Sequence, residues 1–273
     1  MAASATTPDL WGKHAEDWAF RAEPSTAPLW KTILEATGVG SATRLLDIGC
    51  GAGGLCVLAR QMGASVHGAD GSPGLLNIAR QRLPEGTFSL GNLLSLPYED
   101  DFFDVVVSCN AIQFTADPEM AVKEALRVLR PERKFALGIW AEPEKCQMSV
   151  LFKALAALAP APPEDHAPPS LSSRENLLSL LERAGLQIEQ VEEIEIVFEY
   201  DNVDDNWMAV HSAGMIVGLS TAVGEEKVEA VVRTALKDFV QPDGKVKMSN
   251  VFRYVIGSQL TQQPPFASAH PLQ

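Results

Sequence analysis

The chain has 273 residues, 46% hydrophobic and 21% charged, so it can bury a substantial core and is not expected to be disordered. A formal net charge of −13 repels phosphate backbones and anionic membrane surfaces, which argues against nucleic-acid and membrane partners. Cys50, Cys56, Cys109 and Cys146 lack paired CxxC spacing, so no metal site is expected and a reducing, cytoplasmic compartment is inferred.

Residues 1–5 hold neither a basic stretch nor an apolar run, and no segment reaches the ~20 apolar residues of a membrane span. Thr7-Pro8-Asp9 predicts a helix start, followed by Leu10, Trp11, His14 and Trp18 at helical spacing. A second helix is expected from Pro28 until Gly38 and Gly40 stop it. From Thr43 the pattern changes to short apolar runs separated by longer periodic segments, the signature of a parallel sheet with crossover helices. Strands are expected at residues 44–48, 65–69, 88–90, 103–109 and 135–140. The helices between them cover 53–62, 72–82 and a segment opening at Asp117-Pro118.

Residues 148–158 read as a helix, and the proline-rich stretch through Pro160, Pro162, Pro163, Pro168 and Pro169 as a loop. Ser172 with Glu175 forms a capping-box pattern for a helix ending near Gly185. Residues 187–198 alternate like a half-buried strand, 204–219 and 224–240 read as helical, and 251–256 as the last strand. Glu189, Glu192, Glu193, Glu195, Glu199, Asp201, Asp204 and Asp205 read as a solvated face. The expected organisation is an N-terminal helical cap over 1–40, a cofactor-binding core over 41–142, the rest of the core with helical inserts over 143–261, and a disordered tail over 262–273.

The chemistry concentrates in Leu45-Leu46-Asp47-Ile48-Gly49-Cys50-Gly51-Ala52-Gly53-Gly54, which ends a strand and opens a helix. Glycines there remove side chains where a ligand approaches the backbone. Gly49, Gly51 and Gly54 also fit G-x-G-x-x-G, with Asp70 spaced like a ribose-binding acid, so the loop alone specifies only a nucleotide-like ligand. Further on come Leu96-Pro97-Tyr98-Glu99-Asp100 before Phe102-Phe103-Asp104-Val105-Val106, then Asn110-Ala111-Ile112-Gln113-Phe114, then Arg127-Val128-Leu129-Arg130-Pro131.

With Asp47 two residues before the first glycine, this series resembles the class I S-adenosylmethionine-dependent methyltransferases, in particular small-molecule enzymes of the ubiquinone and menaquinone type. The resemblance is close over residues 45–140. It implies a Rossmann-like, doubly wound α/β sheet of about seven strands, mostly parallel with an antiparallel last strand, plus N-terminal helices and a helical cap. It implies S-adenosylmethionine as cofactor, its methionine part over Gly49 and Gly51, with Asp47 supporting the loop and the amino group. Asp70 would hold the ribose hydroxyls. Asn92, where the family more often has aspartate, and the backbone of Leu93 would flank the adenine, with Asn110 at the end of the fourth strand facing the cofactor. Glu132-Arg133 stands where the family's turn has two glycines, which should alter the entry to the fifth strand.

The cofactor carries its own electrophile, so such an enzyme mainly aligns a nucleophile and excludes water. A base is needed only if the acceptor must lose a proton, and His14 and His211 are the candidates. Trp11, Trp18, Gln113, Phe114, Trp140, Phe152 and Trp207 are the expected walls of a pocket for a small, hydrophobic substrate, with Met148, Met208, Met215 and Ile216 in the same segments. Two other readings compete. An NAD-dependent oxidoreductase would share the glycine spacing and Asp70, but no Tyr-x-x-x-Lys pair is present. A methyltransferase-like fold could also use the cofactor structurally, for binding or a cyclisation. The sequence carries no signal for oligomeric state.

Overall fold

A computed structural model of the chain describes residues 8–159 and 170–259. Its centre is a sheet of seven strands: β1 (Arg44–Ile48), β2 (Ser65–Asp70), β3 (Thr87–Leu90), β4 (Phe103–Cys109), β5 (Leu129–Trp140), β6 (Leu186–Tyr200) and β7 (Val246–Gln259). Their order is β3-β2-β1-β4-β5-β7-β6. β1 pairs in parallel with β2 and β4, β2 with β3 and β4 with β5, whereas β7 runs antiparallel to both neighbours. The fold class expected from the sequence is therefore the one observed.

Side-chain alternation along the strands sends each face to a different layer. Leu45, Val105, Val107 and Ala136 pack under α3 (Ala27–Ala36), α4 (Gly54–Gln61) and α5 (Pro73–Arg82). Leu46, Ile48, Val106, Phe135 and Leu137 face α6 (Pro118–Val128) and α8 (Arg174–Arg183). Strand order reverses between β1 and β4, where connections leave in opposite directions and open a crevice at the strands' carboxyl ends.

Four local expectations differ from the structure. The opening helix is broken into α1 (Pro8–Trp11), α2 (Ala15–Asp17), a π-helical turn over Trp18–Ala22 and a 3₁₀ turn over Glu23–Thr26. His14, at φ −122° and ψ 46°, leaves the helical region, and a Cβ on Gly74 would stand 2.9 Å from the Gly12 backbone, so tertiary packing overrides the periodicity. Ser173, not Ser172, caps α8, accepting from the Asn176 N–H, while Ser172 contacts Ser170. The 204–219 stretch divides into α9 (Val203–His211) and α10 (Gly214–Val223) because Ala213 is extended. The 224–240 stretch stops as α11 (Glu225–Ala235) plus a 3₁₀ turn. At the entry to β5, where an altered turn was expected, Glu132 adopts φ +61°, the left-handed backbone that glycine favours. Thr7, most of the proline-rich loop and the 262–273 tail lie outside the described residues.

β6 is an edge strand, and its acids engage the neighbouring rows: Glu189 with Lys134, Glu193 with Lys145, Glu199 with Lys245 and Lys247. Such charged edges oppose pairing with another chain. The segment over 148–156 forms α7 (Met148–Ala156), which joins α9, α10 and the N-terminal segment above the crevice.

Candidate active site

The cavity at the carboxyl ends of the strands encloses about 750 Å³. Its floor begins at Asp47, the last inward residue of β1 but one, and continues into the glycine loop, where Gly51 has φ +54°. A Cβ on Gly51 would stand 2.7 Å from Glu23 Oε1, so both conformation and space require glycine there. Asp70 closes the adjacent strand end. Its Oδ2 accepts from the Gly51 N–H at 2.9 Å and its Oδ1 from the Ser72 N–H at 2.8 Å. Each oxygen keeps one acceptor position for a ligand hydroxyl.

The floor is electrostatically unbalanced. Burial pushes the Asp47 carboxyl up to about 8, with Glu23 and Asp70 adding repulsion. Its hydrogen-bond contact is the Cys56 thiol at 3.7 Å, a weak donor. Burial likewise raises Glu23 to about 7, against the attraction of Arg82. Asp70 is raised by burial, partly offset by its backbone donors.

β4 is followed by Asn110, which takes left-handed backbone at φ +53° and whose Oδ1 is buried without a partner among the described residues. Gln113 Oε1 is likewise buried and unpartnered among them. Buried polar atoms are nearly always paired, so two along one cavity mark places where a ligand completes the bonding. Asn92 is exposed and its Oδ1 accepts from the Leu94 N–H at 2.9 Å, leaving the amide N–H₂ toward the cavity rim unengaged.

Away from these polar groups the wall turns apolar: Trp30, Trp140, Phe152, Phe198, Met215 and Ile216. Trp140 stacks edge-on to Phe152 at 5.9 Å and to Phe198 at 5.6 Å. Every expected cofactor residue lines the cavity, namely Asp47, Gly49, Gly51, Asp70, Asn92, Leu93 and Asn110. So do the expected wall residues Trp11, Trp18, Gln113, Phe114, Trp140 and Phe152.

Three expected site residues do not line it. His14 and His211 pack on each other at 4.7 Å between ring centroids, and Trp207 stacks on His211 at 4.6 Å. Helical phase explains this: Ala209, Val210 and Ala213 turn toward the cavity, while Trp207 and His211, four residues apart, share another face. Met208 is also absent from the lining and partly exposed. Glu23, Trp30, Phe198 and Tyr200 line the cavity without having been singled out. Phe198 and Tyr200 could have been found from the alternation that ends β6; Glu23 has no sequence pattern to betray it.

The sequence model of the methyltransferase domain matches residues 46–137, from within β1 to within β5. Over these residues the chain is similar to methyltransferase domains. The chain is 34% identical over 128 residues to an uncharacterized protein of Mycobacterium tuberculosis, a match spanning 45% of this chain and 47% of that one. It is 35% identical over 113 residues to the methyltransferase GfsG of Streptomyces halstedii, spanning 39% and 41%. The chain thus spans about half the length, or less, of these curated relatives. Among solved structures, a putative methyltransferase from Bacillus halodurans superposes with a TM-score of 0.58 at 16% identity, over 84% of this chain and 97% of that one, a likeness of fold.

S-adenosylmethionine is the cofactor of the class I methyltransferases that residues 45–140 resemble, and the residues present fit it. Among the described residues Asp47 has no cation in contact and Asn110 Oδ1 no donor, and the glycine loop leaves open backbone beside both.

Proposed function

We propose that the chain transfers a methyl group from S-adenosylmethionine to a small, apolar acceptor held under a cap built by the N-terminal segment, α7, α9 and α10. One observation carries this reading: a single cavity runs from the carboxylates of the glycine loop into an aromatic wall without a charged side chain, so cofactor and acceptor chemistry meet in one enclosure.

The bound cofactor would supply an electrophilic methyl on sulfur. Asp70 would hold the ribose hydroxyls through its two free acceptor positions. Asp47 would receive the amino group, and Gly49 and Gly51 would let the methionine part approach the backbone. Asn92 and Leu93 would flank the adenine, and Asn110 would offer its Oδ1 to a donor at the reacting end. Trp11, Trp18 and Phe114 exclude water from one side; Trp11 and Phe114 meet edge-on at 5.2 Å. Trp140, Phe152, Phe198 and Met215 would orient the acceptor.

Among the described residues no histidine, lysine or arginine lines the cavity, so the wall offers no evident base for a proton with an unperturbed pKa above neutrality. The favoured acceptor is therefore one that ionises by itself before it attacks, and catalysis is chiefly by positioning. The test is incubation with methyl-labelled S-adenosylmethionine and a fractionated metabolite extract. Label should enter the fraction extractable into organic solvent. Label entering only polar, charged metabolites would contradict the apolar acceptor, and no incorporation in any fraction would contradict methyl transfer.

A further inference from the structure

The cavity floor carries more negative charge than the protein balances. Asp47, Asp70 and Glu23 line it together, and among the described residues Arg82 on α5 is the one cation in ion-pair contact with any of them, through Glu23 Oε2 at 2.8 Å. Asp70 is served by two backbone N–H groups, whereas Asp47 has the Cys56 thiol.

Glu23 reaches the floor from outside the matched domain, on the 3₁₀ turn of the N-terminal segment, and is 5% exposed. Its Oε1 accepts from the Ala52 N–H at 2.6 Å. A Cβ on Gly51 would lie 2.7 Å from Oε1, and one on Gly54 would lie 3.0 Å from Oε2. The glycines thus clear room that this carboxylate enters from above. Arg82 reinforces the placement by also donating to the carbonyls of Ala52, at 3.1 Å, and Ala19. A carboxylate accepts about four hydrogen bonds, so Glu23 keeps acceptor capacity toward the cavity after Ala52, Arg82 and Trp18 are counted.

We propose that Glu23 is the second half of an ammonium receptor: with Asp47 it holds the amino group of the bound cofactor, so that the N-terminal segment, already seated on the glycine loop, contributes directly to cofactor binding. The proposal rests on reading the cavity as an S-adenosylmethionine site. An ammonium supplies three donors and the positive charge that the two acids lack. Without it, burial and mutual repulsion favour proton uptake by both carboxyls, at about 7 for Glu23 and about 8 for Asp47. The other groups facing the pair are Arg82 from α5, Asp70 from β2, Cys50 from the loop and Cys56 from α4. The competing role for Glu23 is structural, a cap on the α4 end of the loop through Ala52.

Two ligands separate the roles. S-adenosylhomocysteine carries the amino-acid end, and 5′-deoxy-5′-methylthioadenosine shares the nucleoside without it. Calorimetry at about pH 8 should show Glu23→Gln weakening S-adenosylhomocysteine about tenfold or more, the scale of one charge-assisted hydrogen bond, while methylthioadenosine changes less than about twofold. Equal weakening of both ligands, or of neither, would reduce Glu23 to a cap and overturn the proposal. The unmodified protein gives a second reading that needs no variant. Its affinity for S-adenosylhomocysteine should fall as pH is lowered from about 8.5 to about 6, since proton uptake competes with the ammonium, while methylthioadenosine binding stays level. Parallel pH profiles would overturn the proposal. Binding of neither ligand at any pH would instead overturn the underlying reading of the cavity.

Discussion

The two ends of the cavity are built on different principles. The floor is polar and comes chiefly from the β1 loop, the end of β2 and the end of β4, each fixed by the sheet, with Glu23 reaching in from the N-terminal segment. The wall is apolar and is assembled from the N-terminal segment, α3, the end of β5, α7, the end of β6, α9 and α10, segments far apart in sequence. Backbone hydrogen bonds and left-handed turns hold the floor before any ligand arrives, whereas the wall relies mainly on side-chain packing, with a few bonds such as Met148 N–H to Asn250 and Arg21 to Asp205. The first arrangement suits a constant ligand and the second a variable one.

If that division is real, damage to one end should spare the other. The largest effect is expected from Gly51→Val, which puts a branched side chain in left-handed backbone within reach of Glu23. S-adenosylhomocysteine binding should fall by more than about a hundredfold in calorimetry, with a melting temperature several degrees lower. On the other side, Trp140→Ala should raise the acceptor KM by about tenfold and cost about 3 kcal/mol of stability, yet leave cofactor-product affinity within about twofold. A comparable loss of both ligands in that variant would merge the two ends into one unit.

A smaller effect should appear in pH scans of the ligand-free protein. Asp47 and Glu23 have folded-state values above their ordinary ones, so the folded state binds the extra protons. Their contribution favours folding at low pH and is lost as pH rises toward about 8. The melting temperature should therefore decline between about pH 6 and pH 8.5, and Asp47→Asn should flatten the decline. Glu142 has the opposite sign: partial burial raises it, but Arg253 overcomes that and holds it at about 2, so its contribution is present above pH 4.5 and lost below. The smallest effect is assigned to His14→Ala and His211→Ala. Both rings lie off the cavity lining, so kcat should stay within about twofold in a steady-state methyl-transfer assay; a loss of a hundredfold in either would return that histidine to the chemistry.

The same division decided what could be read from the sequence. Asp47, Gly49, Gly51 and Asp70 sit at positions where a strand end or a tight turn dictates residue type, so spacing along the chain reports their placement in space. Trp140 was foreseen as a wall residue because it ends a strand, and Phe152 because it lies in the apolar helix that follows. His211 and Trp207 were misplaced because helical phase, not proximity in sequence, decides which side of α9 meets the cavity. Glu23 escaped notice for a related reason: its partner Ala52 is a backbone N–H 29 residues away, and backbone donors leave no trace in residue type. The broken opening helix was equally hidden, since the contact between Gly12 and Gly74 that accompanies it is tertiary.

The most direct test of the division is a paired titration of S-adenosylhomocysteine into Asp70→Ala and Phe152→Ala by calorimetry. On the proposed reading Asp70 would offer the ribose two charge-assisted hydrogen bonds and Phe152 would face the acceptor, so the first variant should lose about a hundredfold in affinity and the second less than about twofold. Undiminished affinity in Asp70→Ala, or equal losses in the two variants, would contradict a cofactor floor separate from an acceptor wall.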